Sequence, residues 1–237
     1  MGKRIIAQRR GKGSTTYRCP SFNFKGAAKH PAIAQEPIKG TVIDIIHCPA
    51  HSAPLVKVEY ENGESSLMIA PENICVNQII ENGSKTLELG NTLALKDIPE
   101  GTLIYNIENV PGDGGKFVRS SGTFARIVSQ MENQTIVLLP SKKQKSFNLN
   151  CRATIGIVAG SGRTEKPFLK AGTMFFKMKA KNHLYPRTAS CAMNAVDHPF
   201  GNKRSSRKSK ARVAPKNAPP GRKVGMIRAR RTGRKKK

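Results

Sequence analysis

The sequence predicts an all-β centre carried between long, irregular, cationic extensions. Three observations lead there. Short β-branched and apolar runs recur from residue 39 to 158, each broken by a turn signal. No stretch above a dozen residues carries a 3.6-residue apolar period, so no long amphipathic helix is expected. The charge is also laid unevenly along the chain. Residues 1–39 hold nine Lys/Arg and one acid, 40–140 six and twelve, 141–180 nine and one, and 181–237 eighteen and one. The four nets, +8, −6, +8 and +17, make up the +27 of the 237-residue chain.

Taken in order, residues 1–36 read as a basic extended arm. Gly11, Gly13, Pro20 and Pro31 interrupt it too often for a helix of useful length. Residues 41–46 form a β-branched run ended by Pro49, and 55–60 alternate apolar with polar. Residues 66–70 run back after Asn62-Gly63, the strongest short-range hairpin signal when both turn residues take positive φ. Residues 74–80 read as a further strand, closed by Asn82-Gly83. A second β set spans 92–95, 102–110, 122–130, 135–139, 145–149 and 153–158, with breaks at Pro99, Pro111, Asn133 and Pro140. Strands at such spacing suit two small barrels meeting near residues 83–90.

The last 57 residues hold nine large apolar side chains. That is too little to offset an ordering cost of about 1–2 kcal/mol per residue. The C-terminal arm is therefore expected to order only against a partner. Five widely spaced Cys, odd in number and never in a C-x-x-C pair, give neither a disulfide framework nor a zinc ribbon, so a reducing, intracellular setting is the expectation. The basic N-terminus has no apolar stretch behind it, and no apolar run nears the roughly 20 residues that span a bilayer. The reading is a soluble protein with no membrane partner.

The motifs sort as follows. Three separate basic segments point to a polyanion, because each phosphate neutralised by Lys or Arg releases condensed counterions. Phe22, Phe24, Phe175, Phe176, Tyr185 and Phe200, interleaved with the cations, suit stacking on unpaired bases or anchoring on the protein itself. The glycine-rich stretches 111–116 and 160–164 do not match a nucleotide-hydrolysing P-loop. They suit either a tight turn or a backbone lying close to RNA, with Lys116, Arg119 and Arg163 on phosphates. His47, Cys48 and His51 hold three ligand types, but Pro49 argues against the helix that would put the two His on one face, so no metal site is expected. Ser190, Asp197 and His198 prompt a hydrolase reading. Adjacent Asp and His in an extended loop rarely face each other, so no catalytic residue is assigned. A histone-like DNA-compacting protein also suits the charge.

Several stretches then resemble one family. Val196-Asp197-His198-Pro199 within residues 192–201 is similar to the signature loop of the universal large-subunit ribosomal protein L-two family. Residues 111–116, 151–156, 217–225, 8–13 and 52–55 resemble the same family in the same order. Phe200 after Pro199 and the short N-terminal arm are similar to its archaeal–eukaryotic branch. The resemblance implies an OB-type barrel followed by an SH3-like barrel, with extensions that penetrate ribosomal RNA. It further implies subunit association and support of the RNA around the peptidyl transferase centre, with a supporting role for His198.

The expected architecture is therefore a basic extension at 1–36, an OB-like barrel at 37–83, an SH3-like barrel at 84–165 and a basic extension at 166–237. The expected function is that of a structural, non-enzymatic constituent of the cytoplasmic large ribosomal subunit, without cofactor. The expected partners are large-subunit ribosomal RNA, neighbouring ribosomal proteins and the small subunit through a bridge, with no homo-oligomer. The expected RNA contacts are Arg4, Arg9, Arg10, Lys12, Arg18, Lys116, Arg119, Arg152, Arg163, Lys166, Lys177, Lys179, Met193, Asn194, His198, Gly201, Arg222, Lys223, Arg230, Arg231 and Arg234.

Overall fold

The structure, a computed structural model, describes residues 2–33, 36–202 and 212–227. The chain divides into two compact units. Residues 1–20 and 168–237 make unit 1, and residues 21–167 make unit 2.

Unit 2 is all-β. Its strands are β1 (Ile38–Ile46), β2 (Leu55–Tyr60), β3 (Ser65–Ile69), β4 (Ile79–Asn82), β5 (Thr92–Ala94), β6 (Leu103–Tyr105), β7 (Ala125–Gln130), β8 (Gln134–Leu138), β9 (Gln144–Asn148) and β10 (Arg152–Ile155). They hydrogen-bond in the order β3-β2-β1-β4-β5-β10-β6-β7-β8-β9. Every pairing is antiparallel except β4 with β5, where a single parallel pair, Asn82 with Thr92, joins the two halves.

Each half buries its own apolar set. Val42, Val56, Val58, Met68 and Ile80 pack together in the first half. Leu93, Leu95, Ile104, Ile127, Val137 and Phe147 do so in the second. A third cluster, with Leu55, Ile69, Tyr105 and Val158, draws on both. The Tyr105 hydroxyl donates to the Ile69 carbonyl at 3.0 Å, which satisfies the polar end of a buried ring. Burying each Val, Leu or Ile side chain stabilises by about 1.5–3 kcal/mol, so these clusters give this unit a substantial core.

Three strand expectations change in detail. Asn62-Gly63 does make the β2–β3 hairpin, but only Gly63 takes positive φ, at 78°. The Gly63 amide donates to the Tyr60 carbonyl at 2.9 Å, the arrangement of a three-residue loop whose last residue is left-handed. Residues 74–80 are a strand only from Ile79, because Asn73 (φ 65°) and Asn77 (φ 67°) turn the backbone first. Residues 102–110 shorten to Leu103–Tyr105, because Asn106 (φ 49°) ends the run.

A buried polar cluster ties residues 28–32 to the second half of the sheet. Arg152, 7 % exposed, pairs with the fully buried Glu108 at 2.8 Å and donates to the Pro31 carbonyl at 2.8 Å. His30 Nε2 donates to the Asn106 carbonyl at 2.7 Å. Burial alone would raise the Glu108 carboxyl, but hydrogen bonds and charge from Arg152 outweigh it and hold the group below its ordinary value.

Unit 1 is built differently. It contains α1 (Ile6–Gly11), α2 (Ala171–Ala180) and a 3-10 turn at Ser190–Ala192. Neither helix buries a residue, and among the described residues of this unit Ala214 is the one buried apolar side chain. α1 appears where the sequence suggested only an extended arm. The Gln8 side chain accepts from the Ile5 amide at 3.1 Å and so caps its first turn.

Candidate nucleic-acid interface

The two units differ sharply in charge. Unit 1 contains 27 Lys/Arg and one acid, a net of +26, whereas unit 2 contains 15 and 14, a net of +1. The sequence segments had hidden this, because cations near residues 25–39 and 142–166 belong to a unit that also carries nearly all the acids.

In unit 1 the N-terminal arm meets the loop at 193–202. The Lys3 amide donates to the Val196 carbonyl at 2.8 Å, and Lys3 Nζ lies 3.9 Å from Asp197. The loop at 193–202 closes on itself. The Asp197 and His198 amides donate to the Asn194 carbonyl at 3.0 and 3.2 Å, the Gly201 amide to His198 at 2.9 Å, and the Asn202 amide to Met193 at 2.9 Å. Gly201 is required here, because a Cβ would strike the backbone of Asn194 and Met193.

His198 is fixed by this loop. Its Nδ1 accepts from the Phe200 amide at 3.1 Å, and its ring meets the Phe200 ring edge-on at 5.2 Å. Partial burial lowers its pKa below the ordinary imidazole value. The ring is therefore neutral near pH 7, with the proton on Nε2, and offers a hydrogen-bond donor rather than a charge. Ser190, Asp197 and His198 do not form a relay: Asp197 pairs with Lys3, and the orienting nitrogen of His198 is taken by the backbone.

His198 lines two cavities. One, of about 510 Å³, is also lined by Lys3, Arg4, Gln8 and Arg222. The other, of about 420 Å³, is lined by Arg10, Leu184, Arg187 and Met193. Sequence reasoning gathered Arg4, Arg10, Met193, His198 and Arg222 but missed Gln8, whose side chain crowds Gly221 so closely that a Cβ there would strike it. Arg9, Lys12, Arg18, Lys179, Asn194 and Lys223 are exposed on the same unit, and Lys177 is half-exposed, its ammonium 4.5 Å from the Phe168 ring centroid. Arg230, Arg231 and Arg234 lie outside the described residues, as do residues 203–211.

In unit 2 the expected contacts separate. Lys116, Arg163 and Lys166 are exposed, with Arg163 Nε donating to Ser121 at 2.7 Å. Arg119 is half-buried and donates to the Gly115 and Ala28 carbonyls at 2.9 and 2.6 Å. Arg152 is directed inward, its guanidinium committed to Glu108 and the Pro31 carbonyl. The glycine-rich loop is not a phosphate cradle either. The amides of Gly112 and Gly114 donate to Glu108, and that of Gly115 to Asp113, so its donors face carboxylates. Among the described residues no group of three metal-ligating side chains occurs, and no helix is long and apolar enough to cross a membrane.

An all-β scaffold joined to a polycationic unit that buries one apolar side chain among its described residues defines a nucleic-acid-binding class of protein. Comparison with known proteins narrows the class. Residues 2–82 match the model of the RNA-binding N-terminal domain of the Ribosomal Proteins L2, and residues 88–219 match that of the C-terminal domain. The chain belongs to the ribosomal protein L2 family. Relatives named large ribosomal subunit protein uL2 are 52 % identical in Methanocaldococcus jannaschii and 48 % identical in Methanothermobacter thermautotrophicus, each alignment covering the whole of both chains. The same-named protein of Methanococcoides burtonii is 51 % identical over 99 % of this chain and all of its own. These archaeal relatives agree with the branch suggested by Phe200 and the short arm.

Proposed function

We propose that this chain is a structural constituent of the large ribosomal subunit, placed in the cytoplasmic ribosome and bound to large-subunit ribosomal RNA. One observation carries the reading: unit 1 concentrates +26 of the net charge on a segment with one buried apolar side chain among its described residues. A polycation of that kind gains its order from phosphates rather than from a core.

In this reading unit 2 docks on folded RNA as a rigid body, and Lys116, Arg163 and Lys166 position it by backbone contact. Its two halves correspond to the expected OB-like barrel at 37–83 and SH3-like barrel at 84–165. The gap between the two family matches, residues 83–87, supports that boundary. Arg4, Arg9, Arg10, Lys12, Arg18, Lys177, Lys179, Arg222 and Lys223 neutralise phosphates where RNA helices crowd. Met193, Asn194, His198 and Gly201 support RNA near the peptidyl transferase centre. There the His198 Nε2–H donates to a phosphate, base or 2′-hydroxyl oxygen, and the protein contributes support rather than catalysis. Neighbouring ribosomal proteins and a bridge to the small subunit complete the partners, with no homo-oligomer.

Ultraviolet cross-linking in intact cells, with sequencing of the attached nucleic acid, tests the assignment. Large-subunit ribosomal RNA is the expected product, with cross-links at residues 193–201. Recovery chiefly of genomic DNA or messenger RNA would overturn it.

A further inference from the structure

Beyond the phosphate-binding surface, unit 1 contains an aromatic cavity of about 280 Å³. Tyr17 comes to it from the N-terminal arm, Phe175 and Lys179 from α2, and His183 and Tyr185 from the segment after α2. We infer that this cavity receives one unpaired nucleobase of an RNA strand, stacked against the aromatic rings, with Lys179 on the adjoining phosphate. The inference rests on the RNA-binding reading above and assigns a stacking subsite within it.

The fold builds the cavity in advance. α2 ends in a left-handed Asn182 (φ 49°). The Asn182 amide donates to Lys179 at 3.0 Å and the His183 amide to Met178 at 2.9 Å, which satisfies the last turn. The Asn182 side-chain amide, freed from capping, donates to the Thr15 and Arg18 carbonyls at 3.2 and 2.7 Å. Tyr17 lies between those two anchors, so the cap residue of the helix also fixes the opposite wall. Phe175 is held edge-on by Phe176, with centroids 5.6 Å apart at 79°. The walls are positioned before any ligand arrives, which reduces the ordering cost of binding.

The walls also have the chemistry a base requires. Phe175 remains 42 % exposed in a unit that buries only Ala214 among its described apolar side chains, so its ring is not consumed by folding. Flat rings beside an ammonium group suit a base and its phosphate, because every base has a π-face and stacking tolerates sequence. An apolar peptide would also satisfy the apolar walls, but the +26 surroundings favour a polyanion.

Stacking and phosphate neutralisation separate by their salt dependence. The full-length chain would be titrated at several salt concentrations with a short oligouridylate carrying one fluorescent purine analogue, and with an RNA duplex of equal phosphate number. Binding is expected to quench the analogue. Tyr17→Ala or Phe175→Ala should weaken single-strand binding by about five- to 140-fold, the range for one stacked base, and leave the salt slope and duplex binding unchanged. Tyr17→Phe should restore single-strand binding, which a misfolded variant would not allow. Lys179→Ala should instead reduce the slope by about 0.7, one single-strand phosphate. Equal losses on strand and duplex, no loss from either alanine variant, or failure of Tyr17→Phe would each overturn the subsite. If cross-linking still recovers ribosomal RNA while these titrations fail, the stacking subsite alone falls and the ribosomal assignment stands.

Discussion

At the residue scale, charge type alone does not tell a phosphate contact from a structural strut. Arg152 and Lys116 look alike in sequence, each a cation beside a glycine-bearing motif. Arg152 is nonetheless fully engaged with Glu108 and a backbone carbonyl, while Lys116 is exposed. The difference lies in Glu108, 44 positions away, and no local pattern announces that partnership. His30 belongs to the same buried cluster and carries a pH prediction. Burial, aided by the nearby Arg152 and Arg119 charges, lowers its pKa from 6.5 to about 4 against the opposing effect of the Asn106 carbonyl. Its Nδ1 is buried with no hydrogen-bond partner, so the folded form keeps the ring neutral. As pH falls from 6.5 towards 4 the unfolded chain takes up a proton that the folded chain does not, so stability declines through that window. The full shift is worth about 3 kcal/mol. Urea denaturation between pH 7 and pH 4 should show this decline in the natural chain and a shallower one in His30→Gln. Equal slopes would remove His30 from the account.

At the element scale, what was legible followed a rule of local chemistry. Alternation and β-branching located the long, regular strands, because one face of each is buried in a set such as Val56, Val58 and Tyr60. Several of the strand errors came from asparagine. Asn73, Asn77, Asn106 and Asn182 all take positive φ, and three of them end strands or defer their start where apolar content suggested continuity. Asn182 was itself a readable signal, a helix cap after a run ending in Lys, but α2 has too weak an apolar stripe to call attention to it. The loop at 193–202 is the element on which the site depends most. Gly201→Ala would force the Asn194 and Met193 backbone apart, at a cost of about 1–3 kcal/mol. Hydrogen exchange at the His198 and Phe200 amides should quicken by roughly five- to 140-fold in that variant, if the loop opens locally. Unchanged exchange there would show that the loop tolerates a side chain.

At the scale of the whole molecule, the sequence revealed a polyanion-binding protein with its charge gathered towards the extensions, and the division into units sharpens that contrast. Grouped by unit, a nearly neutral β-scaffold of +1 stands beside a +26 companion. The affinity for ribosomal RNA should accordingly fall by about 10³–10⁵ between 50 and 200 mM salt if six to ten phosphates are neutralised. Replacing Arg4 and Arg222 together by Ala should reduce the slope of log K against log salt by about two, whereas a flat response in the natural chain would refute the electrostatic account. The pairing of Lys3 with Val196 has a further consequence for biogenesis. Residues 21–167 leave the translating ribosome as a contiguous block, but the N-terminal arm must wait for the loop at 193–202 to be made. At about 5–20 residues per second that interval is roughly ten to forty seconds, during which a cationic leader trails unattached. The newborn chain thus passes through a stage in which its basic N-terminal arm still awaits its mate.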